Sequence, residues 1–252
     1  MVNIFIQART SSKRLPGKVL KPILGKPMLE HQLIRISKCK KVDNIVLLTS
    51  VDKSDDPLAV LADQLSIPIF RGSLDDVLSR FSKALLKFPC DHIVRITGDC
   101  PLHDWRIIDS VVTAHLETNS DYTTNCLPPS YPDGLDVEVI KSGCLLDAEI
   151  RAGNELDREH VTSFIYSNPN LYKIKNVVKP GENLGHLRWT VDNFEDFVFV
   201  SKVYDKLSDI YDFSSEDIYR LIRSNPKIQD VNRFIQRNEG FKLRVEDVGN
   251  GL

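Results

Sequence analysis

The sequence predicts an α/β protein, a three-layer α/β/α arrangement around a mostly parallel, mixed sheet. Three observations carry that expectation. Strand-like and helix-like segments alternate over residues 2–117, the rhythm of consecutive βαβ units. The four main strand runs are apolar nearly throughout, as strands covered on both faces must be. The 252 residues, 42% hydrophobic and 27% charged, suffice for a full core, and no internal repeat, low-complexity segment or linker divides them.

VNIFIQ (2–7) reads as a buried strand and runs straight into a basic loop, ARTSSKRLPGK (8–18). Pro27 suits a first helical position, and MLEHQLIRISKCK spaces Leu29, Leu33 and Ile36 at helical intervals. NIVLLTS (44–50) is a second strand, DPLAVLADQL (56–65) a helix, IPIF (67–70) a short strand. The amphipathic helix SLDDVLSRFSKALLKF (73–88) follows, then the strand DHIVRITGD (91–99) and the helix DWRIIDSVVTAHLE (104–117). From about residue 120 the rhythm changes. DYTTN (121–125) and LDVEVI (135–140) read as strands flanking the proline-rich LPPSYPDG. SGCLLDAEIRAG (142–153) and ELDREHVTSFIYSN (155–168) read as helices, YKIKNVV (172–178) and HLRWTV (186–191) as strands. NFEDFVFVSKVYDKL, SSEDIYRLIRSN and PKIQDVNRFIQRN read as closing helices. The expected organisation is one domain over 1–240, with a mixed-sheet insertion over about 120–180 and a loosely held polar tail at 241–252.

Composition excludes several classes. A formal net charge of −2 gives no global basic field for nucleic acid, so any anion site must be a local gathering of cations. No apolar segment approaches bilayer length, and the run after Met1 is closed too early by Gln7 and Arg9 to be a signal segment. Five scattered cysteines (Cys39, Cys90, Cys100, Cys126, Cys144) without a CxxC pair argue for a reducing cytoplasm rather than a disulfide framework or structural zinc. HExxH and GxSxG are absent.

Ligands of open α/β sheets bind beyond the carboxyl ends of the strands, so those ends carry the candidates. In ARTSSKRLPGK, Arg9, Arg14 and Lys18 supply charge, while Ser11, Ser12 and backbone amides supply hydrogen-bond donors suited to phosphate. The stretch is neither a Walker A loop nor a GxGxxG turn, and on charge and spacing alone a solvated basic loop is the plainer reading. RITGDCP puts Asp99 at a strand end, where a hard divalent cation wants carboxylate oxygen; a turn or helix cap accounts for it too. HLRWTVD repeats the arrangement with Asp192, again open to an ordinary capping role. In YPDGLDVEV, alternation places Asp136 and Glu138 on one side of a strand that follows Asp133, though a half-solvated strand would look the same. DREHV sets Arg158 and Glu159 beside His160, a type of lone histidine that is more often structural.

Taken together, these segments resemble one family. QARTSSKRLPGKVLKPILGKPML resembles the amino-terminal signature of the cytidylyltransferases that activate acidic sugars, most closely their spore-coat polysaccharide branch. RITGDCPLHD, YPDGLDVEV, DREHVTSF and LRWTVDNFEDF resemble that branch's further motifs in the same order, so the likeness covers about residues 2–200. One departure is Ser11, where the branch typically has glycine. The resemblance implies a nucleotide-diphospho-sugar transferase fold, Rossmann-like and GT-A-like. It implies transfer of CMP from CTP to a hydroxyl of a sugar, sugar acid or small hydroxy acid, with release of pyrophosphate. It also implies Mg2+ or Mn2+ and a homodimer formed through the 120–180 region. Carried onto this chain, Gln7, Ala8 and Arg9 would border the cytosine, and Arg14 and Lys18 would neutralise the triphosphate beside Ser11, Ser12 and Thr97. Asp99 and Asp192 would hold the metal, and Arg71, Asp76 and Arg80 would close over the nucleotide. Asp133, Asp136, Glu138, Arg158, His160, Arg188 and Trp189 would line the acceptor side. The rival readings are a glycosyltransferase of similar topology and a non-catalytic nucleotide-binding module. TGDCP lacks the DxD of the first, and retention of Asp99, Asp192, Arg14 and Lys18 argues against the second.

Overall fold

A computed structural model describes residues 1–237; the polar tail expected at 241–252 lies outside the described residues. Seven strands form one sheet: β1 (Val2–Gln7), β2 (Asn44–Ser50), β3 (Ile69–Gly72), β4 (His92–Thr97), β5 (Tyr122–Thr124), β6 (Glu138–Lys141) and β7 (Ile174–Asn176). Their order across the sheet is β3-β2-β1-β4-β6-β5-β7. The first four run parallel, β6 runs antiparallel to β4 and β5, and β7 runs parallel to β5. The 120–180 segment therefore extends the same sheet at its edge, giving the mostly parallel, mixed sheet that the sequence predicts.

The helices are α1 (Met28–Ile36), α2 (Asp56–Gln64), α3 (Val77–Lys87), α4 (Trp105–Thr118), α5 (Ser142–Arg151), α6 (Glu155–His160), α7 (Ser163–Ser167), α8 (Phe194–Leu207) and α9 (Ser215–Ser224). Alternation along β1 explains why both faces of the sheet need cover. Ile4 and Ile6 join a core with α1, α2, α4, α8 and α9, whereas Phe5 joins a second core with α3, α5 and α7. A strand buried on both sides has little room for polar alternation, and in VNIFIQ the one polar residue before Gln7, the buried Asn3, accepts from Asn44 Nδ2 at 3.1 Å.

The chain steps from β1 outward to β2 and β3, then returns across β1 to β4. This reversal opens a crevice beyond the carboxyl ends of β1 and β4. Gly98 lets the two ends close together: a Cβ there would lie 2.8 Å from Ala8 Cβ and 3.0 Å from the Gln7 carbonyl oxygen.

Four sequence expectations change. HLRWTV is not a strand; only an isolated bridge joins Arg188 to Asp133. Its amides serve loop carbonyls instead, Trp189 N donating to Asp133 O (2.6 Å) and Val191 N to Asp99 O (2.8 Å). ELDREHVTSFIYSN breaks into α6 and α7 at Val161, whose φ of 65° ends the first helix. Within PKIQDVNRFIQRN the described residues form a 3-10 helix, Pro226–Val231, after which the Asn232 side chain donates inward to the Arg188 carbonyl at 3.0 Å. Pro27 is the N-cap of α1 rather than its first residue.

The loop before β6 doubles back so tightly that Gly134 adopts φ +106°, and a Cβ there would meet Thr190 N at 2.5 Å and Trp189 C at 2.7 Å. Gly134→Ala should therefore destabilise the protein by at least about 2 kcal/mol, measured as a lower denaturant midpoint with unchanged slope.

Candidate active site

Two strand ends and one helix start meet in the crevice. The loop leaving β1 is anchored first. Thr10 donates from its amide (2.8 Å) and its hydroxyl (2.9 Å) to Asp55, a fully buried carboxylate that also receives the Ser50 hydroxyl at 2.5 Å. Burial would push the Asp55 carboxyl up, yet these hydrogen bonds hold it below its ordinary value. The loop then turns on Thr10, whose carbonyl accepts from the amides of Ser12 and Gly17, both at 2.9 Å. Gly17, with φ 67°, starts a 3-10 turn at Lys18–Leu20 that aims Lys18 into the crevice.

Lys18 is 7% exposed, and its ammonium donates to Asp99 Oδ2 (2.9 Å), Asp192 Oδ1 (2.9 Å) and the Val191 carbonyl (2.7 Å). Burial disfavours the charge, but Asp99 and Asp192 outweigh it and raise the Lys18 pKa. Burial likewise works against the Asp99 carboxylate. Lys18 and hydrogen bonds from Thr97 and Cys100 win, holding it well below the usual range. Asp192 also meets Arg14 at 2.9 Å and Arg188 at 3.0 Å, both through Oδ2. Neither aspartate is a helix cap: Asp104 caps α4 and Asn193 caps α8.

Asp192 is set in place by a residue that sequence reasoning passed over. Asp196, fully buried, accepts from the amides of Asp192 and Asn193 (both 3.0 Å) and completes a capping box with Asn193. It also grips Arg188 through Nε (2.9 Å) and Nη2 (3.0 Å). Arg188 reaches Asp133 Oδ2 at 3.0 Å, and Asp136 pairs with Arg237, which also donates to the Tyr131 carbonyl at 3.2 Å. Arg14, Lys18, Asp99, Asp192, Asp133 and Arg188 are thus joined in one ion-pair network, and Asp136 is paired with Arg237, a residue no motif announces.

The remaining candidates fall elsewhere. Glu138 is enclosed by Arg95, the Tyr122 hydroxyl (2.5 Å) and the Thr162 hydroxyl (2.6 Å), so its oxygens are committed to a buried clamp. Through that clamp Arg95 donates from Nε to Gln7 Oε1 at 3.2 Å, orienting the Gln7 amide at the end of β1. Arg158 turns away from Asp133 and binds Asp76 at 2.7 Å, tying α6 to the N-cap of α3. Arg71 is fastened to Ser50 O (2.8 Å), Asp52 O (2.9 Å) and Asp56 (2.7 Å). Trp189 is fully buried in the core and donates to Gln229 at 3.2 Å, so it supports the wall from behind. His160 ends α6, half-buried. Arg9 lies 3.8 Å from Glu159. Arg80, 2% exposed, braces the loop before α3 through Ser73 O at 3.1 Å; burial and nearby Arg9 depress its pKa to about 10. Ser11 is exposed and is not among the described residues with positive φ, so the backbone accommodates serine there without strain. Ala8 is buried against Gly98, and Ser12 accepts from Leu15 N at 3.4 Å. Of the missed residues, Asp196 had a sequence signal, the N-x-x-D spacing of NFED; Asp55 and Arg237 had none.

The donor set fits a small divalent cation. Two carboxylates and one carbonyl converge within 2.9 Å of a single point now held by an ammonium. No group of three or more acidic, histidine or cysteine side chains among the described residues could hold a metal alone. Mg2+ commonly takes one or two carboxylates and completes its shell with phosphate and water.

Burial, and then the neighbouring Asp136, push the Asp133 carboxyl up to about 7 from 3.8 despite Arg188. A raised acid contributes stability that is complete below its unfolded pKa and lost as pH rises through the folded one. Stability should therefore fall between about pH 4 and about pH 7 through this group, and Asp133→Asn should flatten that fall. Thermal melts of both proteins at about pH 5 and about pH 8 measure it; equal losses in the two would refute the assignment.

With this geometry in place, comparison with known proteins is informative. Residues 3–235 match the family model described as cytidylyltransferase. The spore coat polysaccharide biosynthesis protein SpsF of Bacillus subtilis (strain 168) is 34% identical over 227 residues, covering 88% of this chain and 93% of that protein. The 3-deoxy-manno-octulosonate cytidylyltransferase 2 of Hydrogenovibrio crunogenus is 34% identical over 119 residues, 47% of this chain and 48% of that protein. The solved structure of a cytidylyltransferase from Leptospira borgpetersenii serovar Hardjo-bovis superposes with a TM-score of 0.85 at 31% identity, covering 90% of this chain and 96% of that one. The basic loop, the aspartate pair Asp99 and Asp192 and the fold therefore occur together in a chain that belongs to the cytidylyltransferase family, the CTP-dependent nucleotidyltransferases.

Proposed function

We propose that this protein transfers CMP from CTP to a hydroxyl of a sugar or sugar-acid acceptor, releasing pyrophosphate, in the building of cell-surface polysaccharide or glycoconjugate. The observation that carries the reading is the convergence of Lys18, Arg14, Asp99 and Asp192 beyond β1 and β4. Attack of the acceptor oxygen on the α-phosphorus forms one P–O bond and breaks the bond to the bridging oxygen of the departing pyrophosphate. The hydroxyl proton is given up to solvent. Charge accumulates on nonbridging and leaving oxygens, where preorganised cations stabilise the transition state most.

Arg14, a third exposed, and Lys18, at the crevice floor, are placed to take the triphosphate oxygens. Asp99 and Asp192 would hold Mg2+ or Mn2+, which supplies charge neutralisation at the α-phosphate and lowers the pKa of a bound hydroxyl. Gln7, fixed by Arg95, and the Ala8–Arg9 backbone would face the cytosine. On the acceptor side, Asp133, Asp136, Arg188 and Arg237 present alternating carboxylates and guanidiniums, a lining suited to a polyhydroxylated molecule. The names of two relatives support this acceptor class, one concerned with spore coat polysaccharide and one with an octulosonate.

Pyrophosphate release from CTP in the presence of Mg2+ and a panel of sugar acids and sugars tests the proposal. Asp99→Ala and Asp192→Ala should each lose about 3–4 kcal/mol of transition-state stabilisation, two to three orders of magnitude in kcat. CTP should raise the melting temperature more than ATP, GTP or UTP does, since only a ligand of the native state stabilises it. A larger shift with another nucleotide would overturn the choice of CTP.

A further inference from the structure

Three N–H bonds of an ammonium can serve three acceptors, and those of Lys18 are all used: Asp99 Oδ2, Asp192 Oδ1 and Val191 O. These are the oxygens that converge on the cation position of the crevice. The second oxygen of Asp192 is taken as well, by Arg14 and Arg188. The charges of the carboxylate pair itself are matched, Lys18 and Arg14 against Asp99 and Asp192. A divalent cation approaching the pair meets carboxylates already neutralised by these two cations and a buried ammonium in its place. Two cations cannot share oxygens about 3 Å apart without strong repulsion, so one must leave when the other arrives. Among the described residues no group of three or more acidic, histidine or cysteine side chains gathers there to draw Lys18 off. An incoming polyphosphate does carry the charge to do so.

We propose that Lys18 is a cation lock: in the nucleotide-free protein its ammonium closes the Asp99–Asp192 pair to divalent metal, and the pair opens only when triphosphate oxygens take Lys18 over. Metal therefore enters with or after the triphosphate, never before it. The inference rests on the reading of Asp99 and Asp192 as metal ligands, but not on which nucleotide is bound. The lock also holds two carboxylates at a common point that would otherwise repel each other, keeping the site assembled between turnovers.

The test is Mn2+ binding by the full chain without nucleotide, followed by the electron paramagnetic resonance signal of free Mn2+. Lys18→Met, close in length and free of charge, should bind one Mn2+ at least about tenfold more tightly than the unmodified protein, the scale expected from removing a buried like charge. Adding Asp99→Asn to Lys18→Met should abolish the gain. A second arm needs no change at Lys18: nucleotide-free protein and Asp99→Asn should bind Mn2+ equally weakly, and inorganic tripolyphosphate should open an Asp99-dependent site in the former only. Asp99-dependent Mn2+ binding by the unmodified, anion-free protein would overturn the lock, as would an unchanged affinity in a folded Lys18→Met. Turnover of CTP together with either result would leave the proposed function standing and the lock refuted. A gain of Mn2+ affinity in Lys18→Met, with no CTP turnover by the unmodified protein, would do the reverse.

Discussion

Asp196 is the carboxylate on which the second half of the site depends. It is fully buried and receives two backbone amides, two guanidinium nitrogens of Arg188 and the side chain of Asn232 at 2.9 Å. Its acceptance of the Asp192 amide fixes the start of α8, and its grip on Arg188 decides what else that guanidinium can reach. Buried ion pairs add little net stability over apolar packing, yet loss of one partner strands the other at a cost of about 3–5 kcal/mol. The value of the pair here is geometric. With Asp196 in place, Arg188 can touch Asp133 and Asp192 at once, and Asp192 stands at hydrogen-bonding distance from Lys18. The first half of the site has a counterpart in Asp55, which anchors the basic loop through Thr10. Two fully buried acids thus hold the loop and the helix start that meet in the crevice.

The sheet supplies what these anchors cannot, a common direction. Because β1 and β4 are adjacent and parallel, their carboxyl ends deliver the basic loop and Asp99 to the same edge. The third participant, Asp192, arrives on irregular backbone. The segment expected as a strand fails to pair because its amides are spent on Asp133 and Asp99 carbonyls. On this irregular backbone the Arg188 side chain meets three carboxylates while the next residue, Trp189, is buried in the core.

The difference between what the sequence disclosed and what it withheld follows the range of the interactions. β1, β2 and β4, with the helices between them, were legible because period and apolar run length are local properties. Asp99 and Asp192 were legible as strand-end aspartates for the same reason, and the ordered motifs pointed to Arg14 and Lys18. Glu138 and Arg158, expected on the acceptor side, pair with Arg95 and Asp76, 43 and 82 residues away, where no spacing rule reaches. Arg237, 101 residues from Asp136, carries no local signal at all. Ser11 looked like an intrusion into a phosphate loop. Its exposed side chain and ordinary backbone angle show that the loop's shape is set by Thr10 and Gly17 instead.

The acidic residues of the crevice can be sorted by what holds them. Glu138 and Asp196 are surrounded by donors that belong to the frame: a tyrosine, a threonine, backbone amides, an asparagine and buried guanidiniums. Nothing that enters the crevice can compete for those donors without unfolding part of it. Asp99 and Asp192 are held differently. Lys18, at the end of a long stem, pairs with both, and Arg14, a third exposed, pairs with Asp192 beside the buried Arg188. Carboxylate and phosphate oxygens satisfy the same ammonium and guanidinium donors. Sequence pattern alone treats all four acids alike. Among these four acids, only Asp99 and Asp192 pair with the cations of the basic loop, Lys18 and Arg14.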